Sequence, residues 1–368
     1  MVSDVYFASM MAKRPVEEEV VRVRRLFSTA GFDDLIHEGD LTAIKLHFGE
    51  RGNETYLKPA FVRQVADAVR ESGGRPFLTD TATLYHGSRE NAVDHLLTAI
   101  DHGFDLSSAG APLIIADGLL GDNFVEVEVG KSHLKRVKIA GDIAAADSMI
   151  VVSHLKGHGM AGFGGAIKNL GMGCAPPIGK ADQHRASQPL VVEERCTGCG
   201  NCSSACPESA VLLEGGTALI DPEICVGCGA CLVACPEGAM VLDWETIPIF
   251  LERMVEYAFG AVSEKEGRFG FFNFVIDVTP DCDCLPWSGA PIVPDVGVLA
   301  SRDPVAIDAA SLDLVNGQEG IRGTALKAHH RRGEDKFRGV WPEADGRLQI
   351  KYGEEIGLGS SRYRLIEV

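Results

Sequence analysis

The chain has 368 residues, of which 45% are hydrophobic and 24% are charged, and its formal net charge is −17. This length predicts about two or three domains with a core of ordinary size. The negative charge argues against nucleic acid and anionic membranes as partners. Residues 1–14 lack the apolar core of a signal peptide, and no window approaches the ~18 apolar residues of a membrane span.

Strand and helix patterns alternate through residues 16–153. Apolar residues at helical spacing predict helices over residues 16–30 and 90–100, and a helix that begins at Pro59 and ends before Gly73. Short apolar runs predict strands at residues 41–47, 76–79, 112–116 and 149–153, with a hairpin of residues 124–129 and 134–139.

A glycine-rich stretch follows, HLKGHGMAGFGGAIKNLGMGC at residues 154–174. It holds seven glycines, which between a strand and a helix let backbone amides approach a phosphate or a carboxylate. We therefore expect a small anionic substrate here, bound by Lys156, Lys168 and the backbone of Gly164 and Gly165. The spacing fits neither a P-loop nor a dinucleotide fingerprint, and a flexible packed loop is the alternative interpretation.

The pattern C-x2-C-x2-C-x3-C-P then occurs twice, at residues 196–207 and 225–236. Three closely spaced thiolates can hold one iron–sulfur cube, and the fourth ligand then comes from the other run. Two [4Fe–4S] clusters are therefore predicted, cluster I on Cys196, Cys199, Cys202 and Cys235, and cluster II on Cys206, Cys225, Cys228 and Cys231. A zinc ribbon, the alternative, would place its cysteines in two pairs. The segment resembles a bacterial-type ferredoxin, and so many cluster cysteines indicate the reducing cytoplasm.

The last part of the chain again alternates helix and strand patterns. Helices are predicted over residues 249–259 and from Asp303 to about residue 315, with strands at residues 271–276 and 296–300. Continuous apolar strands separated by helices indicate an α/β fold, a mainly parallel sheet covered by helices.

Neither flank of the cysteine motif looks complete alone. We therefore expect residues 1–188 and 244–368 to form one discontinuous α/β domain. Residues 189–243 would be an inserted small α+β domain of the ferredoxin type, short enough to depend on its clusters for stability.

Several predicted strands end in a polar side chain, namely Lys45 with His47, Asp80, Asp117, His154 and Asp277. The carboxyl ends of parallel strands meet at one edge of the sheet, where open sheets bind their ligands. We expect His47, Asp80 and His154 to transfer protons there with His158, and Lys45 to help bind the anion. Each Asp taken alone is explained better as a strand end or a helix cap.

Three cysteines remain outside the doubled motif. Cys282 and Cys284 lie in a polar turn bounded by prolines, and with Cys174 they form a candidate third metal centre or a redox-active pair. The neighbouring aspartates argue against a lowered thiol pKa, and chance placement in a rigid loop is the alternative.

Stretches along almost the whole chain resemble one family. They are LTAIKLHFGE at residues 41–50, residues 80–95, the glycine-rich stretch, the doubled cysteine motif, DVTPDCDC at residues 277–284 and DVGVLASRDPVAID at residues 295–308. The family is the one labelled a domain of unknown function that carries an inserted bacterial-type ferredoxin with two [4Fe–4S] clusters. The resemblance implies a cytoplasmic iron–sulfur protein and names no substrate.

The sequence favours an oxidoreductase that relays single electrons from an external redox partner protein to a small anionic substrate at the sheet edge. It contains no flavin or nicotinamide fingerprint. The final centre would therefore be a flavin without a recognisable motif, or an additional metal at the spare cysteines. The alternatives are a ferredoxin-type electron carrier, and a non-redox, metal-dependent lyase or isomerase with structural clusters.

Overall fold

The computed structural model describes residues 2–10 and 19–368. The predicted start of the first helix at Val16 lies outside these residues. Within them the strands are, in chain order, β1 (Ser3–Ser9), β2 (Leu41–Lys45), β3 (Arg75–Asp80), β4 (Leu113–Ile115), β5 (Phe124–Glu128), β6 (Arg136–Ala140), β7 (Ser148–His154), β8 (Lys156–His158), β9 (Gly162–Gly164), β10 (Pro189–Val191), β11 (Val211–Glu214), β12 (Thr217–Ile220), β13 (Met240–Leu242), β14 (Phe269–Val275), β15 (Gly297–Ser301) and β16 (Tyr363–Glu367).

The helices of the same residues surround these strands. In chain order they are α1 (Glu19–Thr29), α2 (Pro59–Glu71), α3 (Ala92–Asp101), α4 (Gly141–Ala145), α5 (Ala166–Gly171), α6 (Pro177–His184), α7 (Asn201–Ser204), α8 (Ala230–Ala234), α9 (Ile247–Ser263), α10 (Pro304–Asn316), α11 (Lys336–Val340) and α12 (Arg347–Glu355). Among the described helices, none is both long enough and apolar enough to cross a membrane.

Eight of the described strands form one sheet in the order β16-β1-β15-β14-β7-β2-β3-β4. Its neighbouring strands are parallel except where β15 pairs with β1 and β14. The predicted α/β class and the mainly parallel sheet are therefore confirmed. β15 runs the other way because a long loop, and no helical crossover, connects it to β14.

The two faces of the sheet bury alternate residues of each strand. On one face, Ile44, Leu78 and Phe272 pack in a cluster with α1 and α2. On the other face, Ala43 and Phe271 pack in a cluster with α5, α9 and α10. Burial on both faces explains why the strands read as continuous apolar runs.

The predicted hairpin forms as β5 and β6, which pair antiparallel. The cysteine-rich segment begins at β10 and contains two small antiparallel sheets, β10-β13 and β11-β12. A hydrophobic cluster of its own, with Val211, Ala218 and Met240 buried, lies at its centre. The predicted limits of this segment, residues 189 and 243, thus fall at the start of β10 and just after β13.

Because β2, β3, β7 and β14 all point the same way, their carboxyl ends lie on one edge of the sheet, called the rim below. The loop of residues 276–296, which connects β14 to β15, also starts at this edge. It carries Cys282 and Cys284, so the fold places both spare thiols near the strand ends.

Candidate functional site

The eight cysteines of the doubled motif line two separate cavities. One cavity is bounded by Cys206, Cys225, Cys228 and Cys231. The other is bounded by Cys196, Cys199, Cys202 and Cys235. Each set contains three cysteines of one run and the last cysteine of the other run, which is the grouping that the spacing predicts.

Backbone amides point at several of these sulfur atoms. The N–H of Ala210 donates to the Cys206 Sγ at 3.2 Å, and that of Ala239 donates to the Cys235 Sγ at 3.2 Å. Bonds of this kind stabilise negative charge on sulfur and tune the potential of a bound cluster. Four convergent thiols with N–H donors are therefore a donor set that fits a [4Fe–4S] cluster in each cavity.

The pKa values of the first three thiols in the second run, Cys225, Cys228 and Cys231, are unfavourable for free thiolates. Burial and the neighbouring sulfurs of Cys228, Cys225 and Cys206 raise the pKa of Cys231 to about 12. Burial likewise raises the pKa values of Cys225 and Cys228. Binding of a positively charged metal centre to the sulfurs displaces these protons and stabilises the thiolates.

At the rim, Lys45 and Asp80 form a buried ion pair with 2.9 Å between Nζ and Oδ1. The Lys45 ammonium also donates to the Asn169 Oδ1 at 2.8 Å and to the Leu46 carbonyl at 2.9 Å. Burial would raise the pKa of Asp80, but Lys45, His95 and Arg89 outweigh it and lower that pKa. Asp80 is therefore an ionised anchor for Lys45, which differs from the proton-transfer role expected of it.

Arg89 connects this pair to the loop after β2. Its guanidinium lies 3.1 Å from the Glu50 carboxylate and donates to the Tyr85 hydroxyl at 2.7 Å. That hydroxyl donates in turn to the carbonyl of Cys284 at 3.0 Å. Glu50, Tyr85 and Arg89 lie within the stretches of residues 41–50 and 80–95 that carry the family resemblance.

His154 is held between the carboxylate of Asp283 and the carbonyls of residues 276 and 277. The distance is 2.9 Å from Nδ1 to the Asp283 carboxylate and 2.9 Å from Nε2 to the Ile276 carbonyl. Both ring nitrogens therefore face oxygen atoms of the protein, and His154 acts as a positioning residue for the loop of residues 276–296.

Lys156 completes this network, with its Nζ 2.9 Å from the same Asp283 carboxylate. Burial would raise the pKa of Asp283, but His154 and Lys156 outweigh it and hold that pKa well below its usual range. The predicted anion-binding Lys156 is thus neutralised by a carboxylate of the protein itself.

Cys282, Cys284 and His158 bring three possible ligand atoms within 4.8 Å of one another. Cys174 lies outside this group, close to Lys45 and Asp80, and burial raises its pKa to about 11. The candidate third centre therefore contains His158 in place of Cys174.

The two thiols of this group differ in their charge environment. A hydrogen bond from Cys284, opposed by burial, and the ammonium groups of Lys168 and Lys156 hold the pKa of Cys282 well below its usual range. The same hydrogen bond and burial hold the pKa of Cys284 well above it. The expectation that the neighbouring aspartates would prevent a lowered thiol pKa is wrong for Cys282, because Asp283 is paired with cations.

Both remaining histidines of the rim accept backbone hydrogen bonds at Nδ1. His47 accepts from the N–H of Gly49 at 2.9 Å, and His158 accepts from the N–H of Ala161 at 3.0 Å. Burial and nearby cations, including Lys168, hold both pKa values well below the usual range. Each ring is therefore neutral, carries its proton on Nε2, and presents an N–H donor.

The glycine-rich stretch folds into the β8-β9 hairpin and helix α5. The carboxylate of Asp308 accepts from the N–H groups of Ala166 and Ile167 at 2.7 and 2.9 Å. A Cβ at Gly165 would lie 2.3 Å from that carboxylate, so only glycine fits there. Asp308 thus occupies the position that Gly164 and Gly165 were expected to offer to a substrate.

His184, the last residue of α6, lies between the cysteine-rich segment and the rim. A Cβ at Gly227 would lie 2.3 Å from the His184 carbonyl, and the N–H of Gly227 donates to the Cys225 Sγ at 3.4 Å. Burial and the charge of Lys168 lower the pKa of His184 to about 4. The start of the second cysteine run, at Cys225 and Gly227, therefore packs against His184. The side chain of His184 lies close to Lys168.

The sheet, the rim and the cysteine sets define a class of protein: an α/β protein with a cysteine-rich segment consistent with iron–sulfur binding. More particularly, the chain belongs to the family described as "Domain of unknown function (DUF362)", whose model matches residues 42–313.

Two further proteins are similar to this chain. The thylakoid-associated protein sll1697 of Synechocystis is 30% identical over 162 residues, which are 42% of this chain and 45% of that protein. The chain therefore matches less than half the length of this relative. The lactate racemase apoprotein of Thermoanaerobacterium thermosaccharolyticum has a structure that aligns with a TM-score of 0.41 and 11% identity, over 100% of this chain and 83% of that one.

Proposed function

We propose that the protein is an iron–sulfur oxidoreductase that relays single electrons from an external redox partner protein to a small anionic molecule at the rim. The observation that carries the proposal is the division of the eight motif cysteines into two cavities of four. Cys196, Cys199, Cys202 and Cys235 would hold one [4Fe–4S] cluster, and Cys206, Cys225, Cys228 and Cys231 the other. When bound, such clusters accept and release one electron at a time.

The contact at His184 supports an electron path from the cysteine-rich segment to the rim. Of the two cysteine sets, the one containing Cys225 reaches His184 through Gly227. His184 in turn interacts with His158 and Lys168. We infer that the set with Cys225 is nearer to the reacting molecule, and that the other set faces the external donor.

The charge of the rim supports an anionic molecule. Lys45 and Lys156 are each paired with a buried carboxylate, whereas Lys168 has no carboxylate partner among the ion pairs of residues 2–10 and 19–368. Lys168 is half-buried, as are His47 and His158, whose N–H groups add two uncharged donors. The Lys168 ammonium, which lies 3.6 Å from the Cys282 sulfur and has no paired carboxylate among the described residues, would bind a single carboxylate or phosphate group together with these two donors.

The test is the metal, sulfide and flavin content of protein purified without oxygen. The proposal predicts about eight iron and about eight sulfide per chain, together with an absorbance that dithionite bleaches. Zinc in place of iron would contradict it. If a flavin is also extracted, we expect the flavin to be the final redox centre.

A further inference from the structure

We propose that Cys282 and Cys284 are a redox-active dithiol, which closes to a disulfide and reopens as electrons leave and enter the rim. This inference rests on the iron–sulfur oxidoreductase proposed above, which supplies the electrons. It assigns a chemical role to two cysteines that the clusters do not use.

The loop that carries the two thiols is fixed from several sides. The N–H of Glu50 donates to the carbonyl of Asp283 at 2.8 Å, and the Tyr85 hydroxyl donates to the carbonyl of Cys284 at 3.0 Å. The indole N–H of Trp341 donates to the carbonyl of Pro280 at 3.0 Å. A loop held in this way keeps the two sulfurs together in the reduced state, so closing the disulfide requires little further ordering.

The surroundings favour one thiolate and one thiol. The Lys168 Nζ lies 3.6 Å from the Cys282 Sγ, which is buried, while Cys284 is partly exposed. The directions of the two thiol pKa values agree with this assignment, low for Cys282 and high for Cys284. A thiolate hydrogen-bonded to a neighbouring thiol is the reduced form of a pair prepared for disulfide chemistry.

His158 argues against a metal ion on the same sulfurs. Its Nδ1 already accepts from the N–H groups of Met160 and Ala161, so its Nε2 carries the proton. A histidine ligand instead needs a lone pair on the metal side and an acceptor on the other. The group therefore consists of two sulfurs and one N–H donor. The N–H of His158 can stabilise a thiolate, but it cannot bind a cation.

In the reducing direction the S–S bond breaks, two electrons enter and one proton is bound by Cys284, which leaves Cys282 as the thiolate beside Lys168. In the oxidising direction the bond forms, the same two electrons leave and Cys284 releases its proton. The electrons are exchanged with the one-electron carriers of the proposed function, and two such carriers match one two-electron couple.

The experiment is a redox titration of the holoprotein, read by mass spectrometry of trapped thiols. Trypsin releases residues 269–302 as one peptide that contains both cysteines and no other cysteine. After ferricyanide oxidation we expect this peptide to lose two hydrogens and to resist alkylation, and after dithionite we expect both thiols to be alkylated. Coulometry should count about four electrons for wild type and about two for C282S or C284S.

C174S is the matched control, because Cys174 is buried and lies outside the pair. It should count the same electrons as wild type. Equal counts in wild type, C282S and C284S, or thiols that stay free at every potential, would overturn the dithiol. So would a further metal ion that binds wild type and is lost in C282S. Absence of iron would overturn the proposed function and not the dithiol. The state of Cys282 and Cys284 would still be read from the tryptic peptide after oxidation of the protein with ferricyanide.

Discussion

His154 at the end of β7 donates to the carboxylate of Asp283, 129 residues further along the chain, with 2.9 Å between the nearest atoms. The contact attaches the loop between β14 and β15 to the central strand of the rim. Since Cys282 and Cys284 flank Asp283, this pair is one of the contacts that place both thiols. At the rim, Asp283 thus holds the loop in place, while the cysteines on either side of it are the residues available for chemistry.

Replacing His154 by alanine should destabilise the protein strongly. Both side chains of the pair are nearly inaccessible, with 2% and 1% exposure, and removal of one partner leaves a buried charge with less compensation. We expect a loss of about 3 kcal/mol in the free energy of unfolding, measured by denaturant titration.

The exposed pair of His86 and Glu90 provides the control for that measurement, since its side chains are 68% and 41% exposed. H86A should cost well under about 1 kcal/mol. Equal effects of H154A and H86A would show that the buried contact does not hold the loop.

Replacing Cys235 by serine should remove the cluster formed mainly by the first cysteine run. Cys235 lines the cavity of Cys196, Cys199 and Cys202, although it belongs to the second run. We expect iron to fall from about eight to about four per chain, with loss of one set of electron paramagnetic resonance signals.

The identity of the lost signals decides the crossed assignment. The variants C196S and C235S should lose the same signals, and C206S should lose the others. If C235S and C225S behave alike instead, each run holds its own cluster. C174S should retain all the iron.

The sequence alone was sufficient to predict those features of the fold and the site that depend on a local residue pattern. Continuous apolar runs predict the parallel strands, and because parallel strands end at one edge, Lys45 and Asp80 were expected to lie close together. The spacing of the cysteines likewise predicts the two sets of four. Each of these inferences uses residues within one short segment, or a rule that applies to all parallel sheets.

What the sequence could not predict are pairings between distant segments. β1 and β16 pair at the edge of the sheet although they lie at opposite ends of the described chain. Asp308 binds the first amides of α5 from 142 residues away. A single sequence contains no signal for such contacts, so the substrate was expected where a carboxylate of the protein lies.

Replacing Lys168 by glutamine should make Cys282 less reactive near neutral pH. The ammonium lies 3.6 Å from the sulfur and is one of the groups that lower the pKa of this thiol. Without it, the midpoint of the alkylation rate of Cys282 should move to higher pH. The rate is measured by mass spectrometry of the tryptic peptide after timed labelling.

Lys351 is exposed on α12 and supplies the control, K351Q, which should leave the alkylation profile unchanged. An unchanged midpoint in K168Q would assign the low pKa to the Cys284 hydrogen bond and the Lys156 ammonium. C284A, which unlike serine leaves no donor at that position, would then be expected to raise the midpoint.

Replacing Lys180 by methionine should change how stability depends on pH. The Lys180 ammonium donates to the carbonyls of Ala82 and Ala175 at 2.7 and 2.6 Å, and burial lowers its pKa from 10.5 to about 8. Between these pH values the unfolded chain binds more protons than the folded one, so stability rises with pH. The rise attributable to this group is up to about 3 kcal/mol.

The K180M variant should lack this rise, while K351M should keep it, because Lys351 is exposed in the folded state. Unfolding free energies at several pH values between about 8 and 10 give the comparison, and only the difference from wild type is needed. That difference should grow with pH, since wild type gains stability and K180M does not. A difference that is constant across the window would mean that Lys180 keeps its ordinary pKa in the fold.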